Sequence, residues 1–194
     1  MMDQAQTLDQ TLRILGIAGS LRKGSYNMAA LRAAQERMPE GMKMEIFDLA
    51  TIPLYNGDVE LAGIPDSVQR FKAKIKQADG LLIATPEYNY SVSGVLKNAI
   101  DWASRPPKDT PLPRKPVAIM GASVGVFGTA RAQYDLRKIC VCLNAFVLNR
   151  PELFIAKAQE KFDATGQLTD EETGKRIREL LEAFQSWILR LGRE

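Results

Sequence analysis

The sequence predicts an α/β fold in which one parallel sheet is covered by helices on both faces. Three observations predict it. Apolar runs and helical patterns alternate along the chain, which implies parallel strands joined by helices. The runs LRILGIA (12–18), GLLIATP (80–86) and VAIMGAS (117–123) lack period-two alternation, as strands buried on both faces do. The 194 residues, 45% hydrophobic and 25% charged, suit one domain with a sizeable core, taken here as 1–194 with 1–10 flexible.

Each element follows from its own pattern. The run 12–18 stops at Gly19, and Ala29, Ala30, Leu31, Ala33, Ala34 and Met38 then mark a helix over 25–38. KMEIFDLA (43–50) alternates as a strand, and Pro53, Gly57 and Gly63 make 51–63 a loop. Pro65 suits the first turn of a helix carrying Ile64, Val68, Phe71, Ile75 and Ala78 at helical spacing. After the strand 80–86, Val92, Val95, Leu96, Ala99, Trp102 and Ala103 mark a third helix, with Ser91 as its cap. The proline-rich 105–116 reads as a surface loop before the strand 117–123. A helix over 130–143 and a last strand within 145–155 follow. In 170–191, Ile177, Leu180, Leu181, Phe184, Ile188 and Leu191 form one stripe, and Thr169 and Glu172 have capping-box spacing.

Right-handed crossovers leave chiefly flavodoxin-like and Rossmann-like topologies for this order. Both bind ligands beyond the carboxyl ends of the strands, so function is expected in the loops 19–27, 86–91 and 121–129.

Composition narrows the chemistry. The chain has no histidine, which removes imidazole bases, Ser-His-Asp and Cys-His catalysis and most transition-metal sites. No metal is expected. The net charge of +3 is too small, and its basic residues too scattered, to indicate nucleic acid. No apolar run approaches a membrane span, and the polar start does not read as a secretory signal, so a cytoplasmic protein is expected. Cys140 and Cys142 read as small buried thiols.

The first loop, GSLRKGSYN (19–27), admits three phosphate-binding readings. A P-loop needs Lys after its second glycine, whereas Lys23 precedes Gly24. A dinucleotide fingerprint needs G-x-G-x-x-G, whereas the glycines are Gly16, Gly19 and Gly24; Asp48 at a strand end is weak support for it. A monophosphate nest needs what is present: Ser20, Ser25 and Asn27 as donors, Arg22 as a cation, and the amides of 25–28 opening a helix. The plain alternative is that Ser25 or Asn27 only caps a helix. In the second loop, TPEYNYSVSG (85–94), two tyrosines and an asparagine can flank a planar ligand and bond its polar edge. In the third, GASVGVFG (121–128), glycines permit a tight turn and Ser123 can donate to the same ligand. A phosphate at one end and a flat ring at the other describe a flavin mononucleotide (FMN) site, with the flavin supplying the redox chemistry.

GSLRKGSYN, TPEYNYSVSGVLKNAIDW and GASVGVFGTARAQYDLR resemble the NADPH-dependent FMN reductase family, in particular its chromate and quinone reductase branch. The likeness spans roughly 12–155. The resemblance implies a flavodoxin-like three-layer α/β/α fold, with a five-stranded parallel sheet in the order 2-1-3-4-5. It implies an FMN phosphate on Ser20, Leu21, Arg22, Lys23, Gly24, Ser25, Tyr26 and Asn27, and an isoalloxazine ring held by Pro86, Glu87, Tyr88, Asn89, Tyr90 and Ser123. It implies NADPH or NADH as hydride donor in a ping-pong cycle, with no catalytic side chain. The acceptors would be quinones, chromate or other metal oxyanions, azo compounds or free flavin. It also implies a homodimer or homotetramer, with Tyr88, Arg131, Tyr134 and Glu152 at subunit contacts. The alternative is a flavodoxin-type electron carrier that binds FMN without oxidising nicotinamide. Such carriers are usually acidic, and a charge of +3 argues against it.

Overall fold

The computed structural model describes residues 11–192. The N-terminal stretch 1–10, expected to be flexible, lies outside the described residues. The strands are β1 (Leu12–Ala18), β2 (Met42–Phe47), β3 (Gly80–Ala84), β4 (Glu87–Tyr88), β5 (Ser91–Val92), β6 (Pro116–Ala122), β7 (Phe146–Val147) and β8 (Leu153–Ile155). The helices are α1 (Tyr26–Gln35), α2 (Gly57–Ala62), α3 (Asp66–Gln77), α4 (Gly94–Ala103), α5 (Ala130–Cys142) and α6 (Glu171–Leu191).

The main sheet is parallel and runs β2-β1-β3-β6-β7, with β8 also paired to β6. This is the expected order 2-1-3-4-5, with the fifth strand in two pieces. Phe146 and Val147 pair with the start of β6, and Leu153–Ile155 with its end. Pro151, which has no N–H to give a ladder, lies between the pieces.

The continuous apolar runs are explained by burial on both faces. In β1, Ile14 and Ala18 point to one core and Leu15 and Ile17 to the other. In β3, Leu82 and Ala84 oppose Leu81 and Ile83 in the same way, and in β6 Ala118 and Met120 oppose Val117 and Ile119. One core is closed by the alanine face of α1 and by Ile177, Leu180, Leu181, Phe184 and Ile188 of α6. The other is closed by Phe71 and Ile75 of α3, Leu96 and Ala99 of α4, and Leu136 and Cys140 of α5.

The structure corrects several local expectations. The cap of α4 is Ser93, whose Oγ accepts from the Leu96 N–H at 3.3 Å, while Ser91 lies in β5 opposite Tyr88. The cap of α6 is Asp170, which accepts from the Thr173 N–H at 2.8 Å, so the Thr169–Glu172 box does not form. Pro65 stands just outside α3 as its cap residue. The loop 51–63 contains α2, started by Asn56, whose side chain accepts from the Asp58 N–H. Cys140 is buried but Cys142 is exposed, as two residues two apart on a helix must diverge.

Candidate functional site

The order β2-β1-β3 reverses the direction in which strands are added, and ligands collect at such a switch point. The loops after β1, β3 and β6 meet there around a cleft of about 330 Å³. Its lining comprises Ser20, Arg22, Ser25, Tyr26 and Asn27 from the first loop, Pro86, Glu87 and Tyr88 from the second, and Ala122, Ser123 and Val124 from the third. Leu21, Lys23 and Gly24 are exposed beside the cleft rather than lining it, and Asn89 and Tyr90 form the outer turn of the β4–β5 hairpin. Ala122 and Val124 were not anticipated, because an apolar lining residue carries no signal of its own in a sequence.

The first two loops approach closely at Gly19. Its N–H donates to the Ala84 carbonyl at 2.9 Å, and its own carbonyl accepts from the Ser93 hydroxyl. A Cβ on Gly19 would stand 2.9 Å from Pro86 Cδ and 3.0 Å from Ser93 Oγ, so only glycine fits without displacement. Ser25, 6% exposed, caps α1 through its Oγ, which accepts from the Met28 N–H. The amides of Tyr26 and Asn27 belong to the opening turn of α1, where no carbonyl four residues back can serve them. They, Arg22 and Ser20 make one end of the cleft favourable for an anion. The Arg22 guanidinium lies 5.5 Å from the Tyr26 ring centroid.

Asn27 does more than the sequence suggested. Its Nδ2 donates to the Ala122 carbonyl at 3.0 Å, and its Oδ1 accepts from the Ala122 N–H at 2.9 Å. The side chain expected as a free donor therefore stitches the start of α1 to the end of β6.

Glu87 is likewise engaged within the chain. Its carboxylate accepts from the N–H groups of Arg131 and Ala132 and pairs with Arg131 Nε. The Arg131 guanidinium lies over the rings of both Tyr90 and Phe127. Tyr134 is half exposed beside Phe154, and Glu152 pairs with Arg150 at 2.9 Å. On the neighbouring face of α5, hydrogen bonding to Lys138 and then to Ser91 of β5 holds the Asp135 carboxyl below its usual range. Beneath the third loop, the buried Thr129 hydroxyl accepts from Gln133 Nε2, which also donates to the Leu153 carbonyl. A Cβ at Gly121 would clash with Thr129 Oγ1 and the Thr85 carbonyl oxygen, so the end of β6 has no room to spare there.

Among the described residues no group of His, Cys, Asp and Glu is placed to hold a metal, and no helix is long and apolar enough to cross a membrane. Other recesses, beside Arg13 and Lys43, beside Lys72 and Pro111, and beside Arg32 and Gly166, lie away from these three loops.

The chain resembles known proteins over nearly its whole length. A reductase of Pseudomonas aeruginosa named as an NAD(P)H-dependent FMN reductase is 54% identical over 184 residues, covering 95% of this chain and 99% of that one. An NAD(P)H:quinone oxidoreductase of Solanum tuberosum is 46% identical, covering 93% and 94%. The solved structure of FerB, a flavoenzyme NAD(P)H:(acceptor) oxidoreductase from Paracoccus denitrificans, superposes with a TM-score of 0.85 at 36% identity, covering 92% of this chain and 98% of that one. The profile of the NADPH-dependent FMN reductases matches residues 12–160, which takes in β1 and all three loops of the cleft. The chain therefore belongs to the NADPH-dependent FMN reductase family, oxidoreductases that work with FMN and a reduced nicotinamide.

Proposed function

We propose that the protein is an NAD(P)H:quinone oxidoreductase whose FMN occupies the cleft at the ends of β1, β3 and β6. The observation that carries the reading is the cleft's polarity: an anion-accepting end at Ser20–Asn27, and walls from Pro86–Tyr88 and Ala122–Val124. The residues fit the cofactor. Arg22, the Ser20 hydroxyl and the amides of Tyr26 and Asn27 suit a phosphate dianion. Ser25 and Asn27 fix that cradle through the cap and the Ala122 stitch. Pro86 and Tyr88 offer apolar surface to a ring, and Ser123, whose N–H and carbonyl already bond Ile155 and Ala158, offers its hydroxyl.

When bound, FMN would supply the redox chemistry between NAD(P)H and the acceptor, in two separate half-reactions on this reading. The chain's own task is to hold the phosphate, orient the ring and leave its outer side open. Tyr88, 53% exposed, together with exposed Val124 and Phe127, gives the rim an apolar surface against which a planar quinone can lie. Chromate, azo compounds and free flavin are further acceptors of this reading, since an open rim selects weakly. The relatives named as quinone oxidoreductases support the acceptor class. Assembly as a homodimer or homotetramer through Tyr88, Arg131, Tyr134 and Glu152 belongs to the same reading, and light scattering of the FMN-loaded protein tests it.

The test is reconstitution followed by turnover. The purified protein is expected to retain FMN and to turn over NADPH repeatedly when a quinone or another acceptor of this class is supplied. Arg22→Ala should weaken FMN binding about ten- to a hundredfold, the effect of losing a charge-assisted bond to a dianion. No bound flavin in the wild type refutes the reading. A dissociation constant unchanged in Arg22→Ala removes Arg22 from the phosphate site.

A further inference from the structure

Glu87 and Arg131, far apart in sequence, meet where the second loop touches the start of α5. The Glu87 carboxylate accepts from the Arg131 N–H at 3.0 Å and the Ala132 N–H at 3.2 Å, and pairs with Arg131 Nε. It thereby serves the opening amides of α5. The residue in the cap position, Thr129, has φ 70° and makes no side-chain cap. The Glu87 side chain is only 10% exposed, so this contact is shielded from water.

The other end of Arg131 is held just as closely. The guanidinium carbon lies 3.7 Å from the Tyr90 ring centroid and 4.5 Å from that of Phe127. Tyr90 belongs to the turn between β4 and β5, and Phe127 to the loop after β6. One planar cation thus ties the second and third loops of the cleft to the same helix end.

The hairpin needs such a tie. Its turn residues Asn89 and Tyr90 have φ 50° and 69°. A two-residue turn with both central residues at positive φ favours Asn-Gly. A tyrosine in the second place is strained and persists only where its surroundings hold it. Tyr90 is 70% exposed, and the Arg131 guanidinium over its ring is the contact available to do so.

We propose that Arg131 is a positioning residue for the flavin ring. Through Glu87, Tyr90 and Phe127 it sets the separation and tilt of the hairpin Glu87–Val92 and the loop 123–128, between which the ring would lie. This rests on the FMN reading above. Arg131 need not touch the ring to act. Arginine suits the role and lysine does not, because only a flat guanidinium can stack on two rings while its Nε points at a carboxylate.

The test uses Arg131→Lys, Arg131→Ala, Tyr90→Gly and the Tyr90→Gly/Arg131→Ala double variant. Four quantities are read: the FMN dissociation constant by fluorescence quenching, the visible circular dichroism of bound flavin, proteolysis of residues 87–92 in the apoprotein, and melting temperature. Arg131→Ala is expected to raise the dissociation constant about tenfold, alter the flavin dichroism and speed cleavage of the hairpin. Arg131→Lys is expected to recover less than half of that loss. Tyr90→Gly relieves the strained turn and removes one stacking face, so Arg131→Ala should cost less in that background. If the wild type binds no FMN, the FMN reading itself has failed. If the wild type binds and Arg131→Ala lowers only the melting temperature, with binding and dichroism unchanged, or changes them only together with the oligomeric state read by light scattering, the positioning role is overturned. Full recovery by Arg131→Lys overturns it as well. Should Arg131→Ala not fold, the Arg131→Lys measurement decides.

Discussion

Replacing Asn27 by alanine should destabilise the protein before it touches any chemistry. Asn27 is 3% exposed, and both ends of its amide are spent on the backbone of Ala122, itself 3% exposed. Alanine leaves one buried N–H and one buried carbonyl without partners, at about 1–3 kcal/mol each. Ala122 lines the cleft, so water can reach part of the gap, and the lower part of the summed range applies, about 2–3 kcal/mol. For a chain of this size that lowers the melting temperature by roughly 5–10 °C. Asn27→Asp is the sharper variant. Its carboxylate still accepts from the Ala122 N–H but sets a second oxygen against the Ala122 carbonyl, so it should be no more stable than the alanine form. It also adds a negative charge at the anion-accepting end and should lose FMN more completely. Thermal melting of the apoproteins and FMN titration read both effects. An Asn27→Ala melt within about 2 °C of wild type, a shift worth under about 1 kcal/mol, would show that the Ala122 pairing contributes little and would refute this account.

Three further outcomes follow from packing and protonation. Gly121→Ala drives a methyl into Thr129 Oγ1 and the Thr85 carbonyl oxygen, so about 2–3 kcal/mol of stability should be lost; an unchanged melt would show that the packing at the end of β6 yields easily. Burial pushes the Cys140 thiol up to about 11 while Cys142 is exposed, so one thiol per native chain should react quickly with a disulfide reagent, and both after unfolding. Two fast thiols would contradict the packing of α5. Bonds from Thr173 and then Lys161 hold the Asp170 carboxyl at about 2. A depressed folded value stabilises above the ordinary carboxylate value near 3.9, and that stability is lost as pH falls through about 2. Asp170→Ala should therefore cost about 1 kcal/mol at neutral pH, read by melting, with the difference from wild type closing between roughly pH 4 and 2. A gap that persists at pH 2 would mean that the cap does not act through its charge.

What the sequence disclosed, and what it hid, follows from the range of each interaction. The strands β1, β3 and β6 were legible because burial on both faces leaves an unbroken apolar run. The alanine face of α1 and the stripe of α6 were legible because one helix face packs on the sheet. The hairpin β4–β5 was not, since two-residue strands show no period and its Asn-Tyr turn lacks the usual glycine. The helix α2 was hidden because it buries no residue and so has no apolar stripe. The cap of α4 was misplaced by two residues because SVSG offers two serines, and only the geometry of the Leu96 N–H chooses Ser93. The polar cluster of the first loop, which lines the cleft, was legible because its parts are contiguous. The Asn27–Ala122 stitch and the Glu87–Arg131 joint were not, because their partners become neighbours only through the sheet order.

Those two joints also explain how a cleft without histidine can serve redox chemistry. Ser25 is committed to the cap of α1, Asn27 to Ala122, and Glu87 to the start of α5. The Asn27 and Glu87 commitments remove those side chains from direct chemistry and add rigidity where separate segments meet, while Ser25, accepting in its local cap, keeps its O–H to donate. Beside these committed side chains, Arg22, the Ser20 hydroxyl and the opening amides of α1 remain to face a ligand at one end, with Pro86 and Tyr88 toward the other. Such a site does little chemistry with its own groups. On the reading proposed above it would hold a phosphate and orient a ring, which suits a protein whose cofactor brings the reactive atoms.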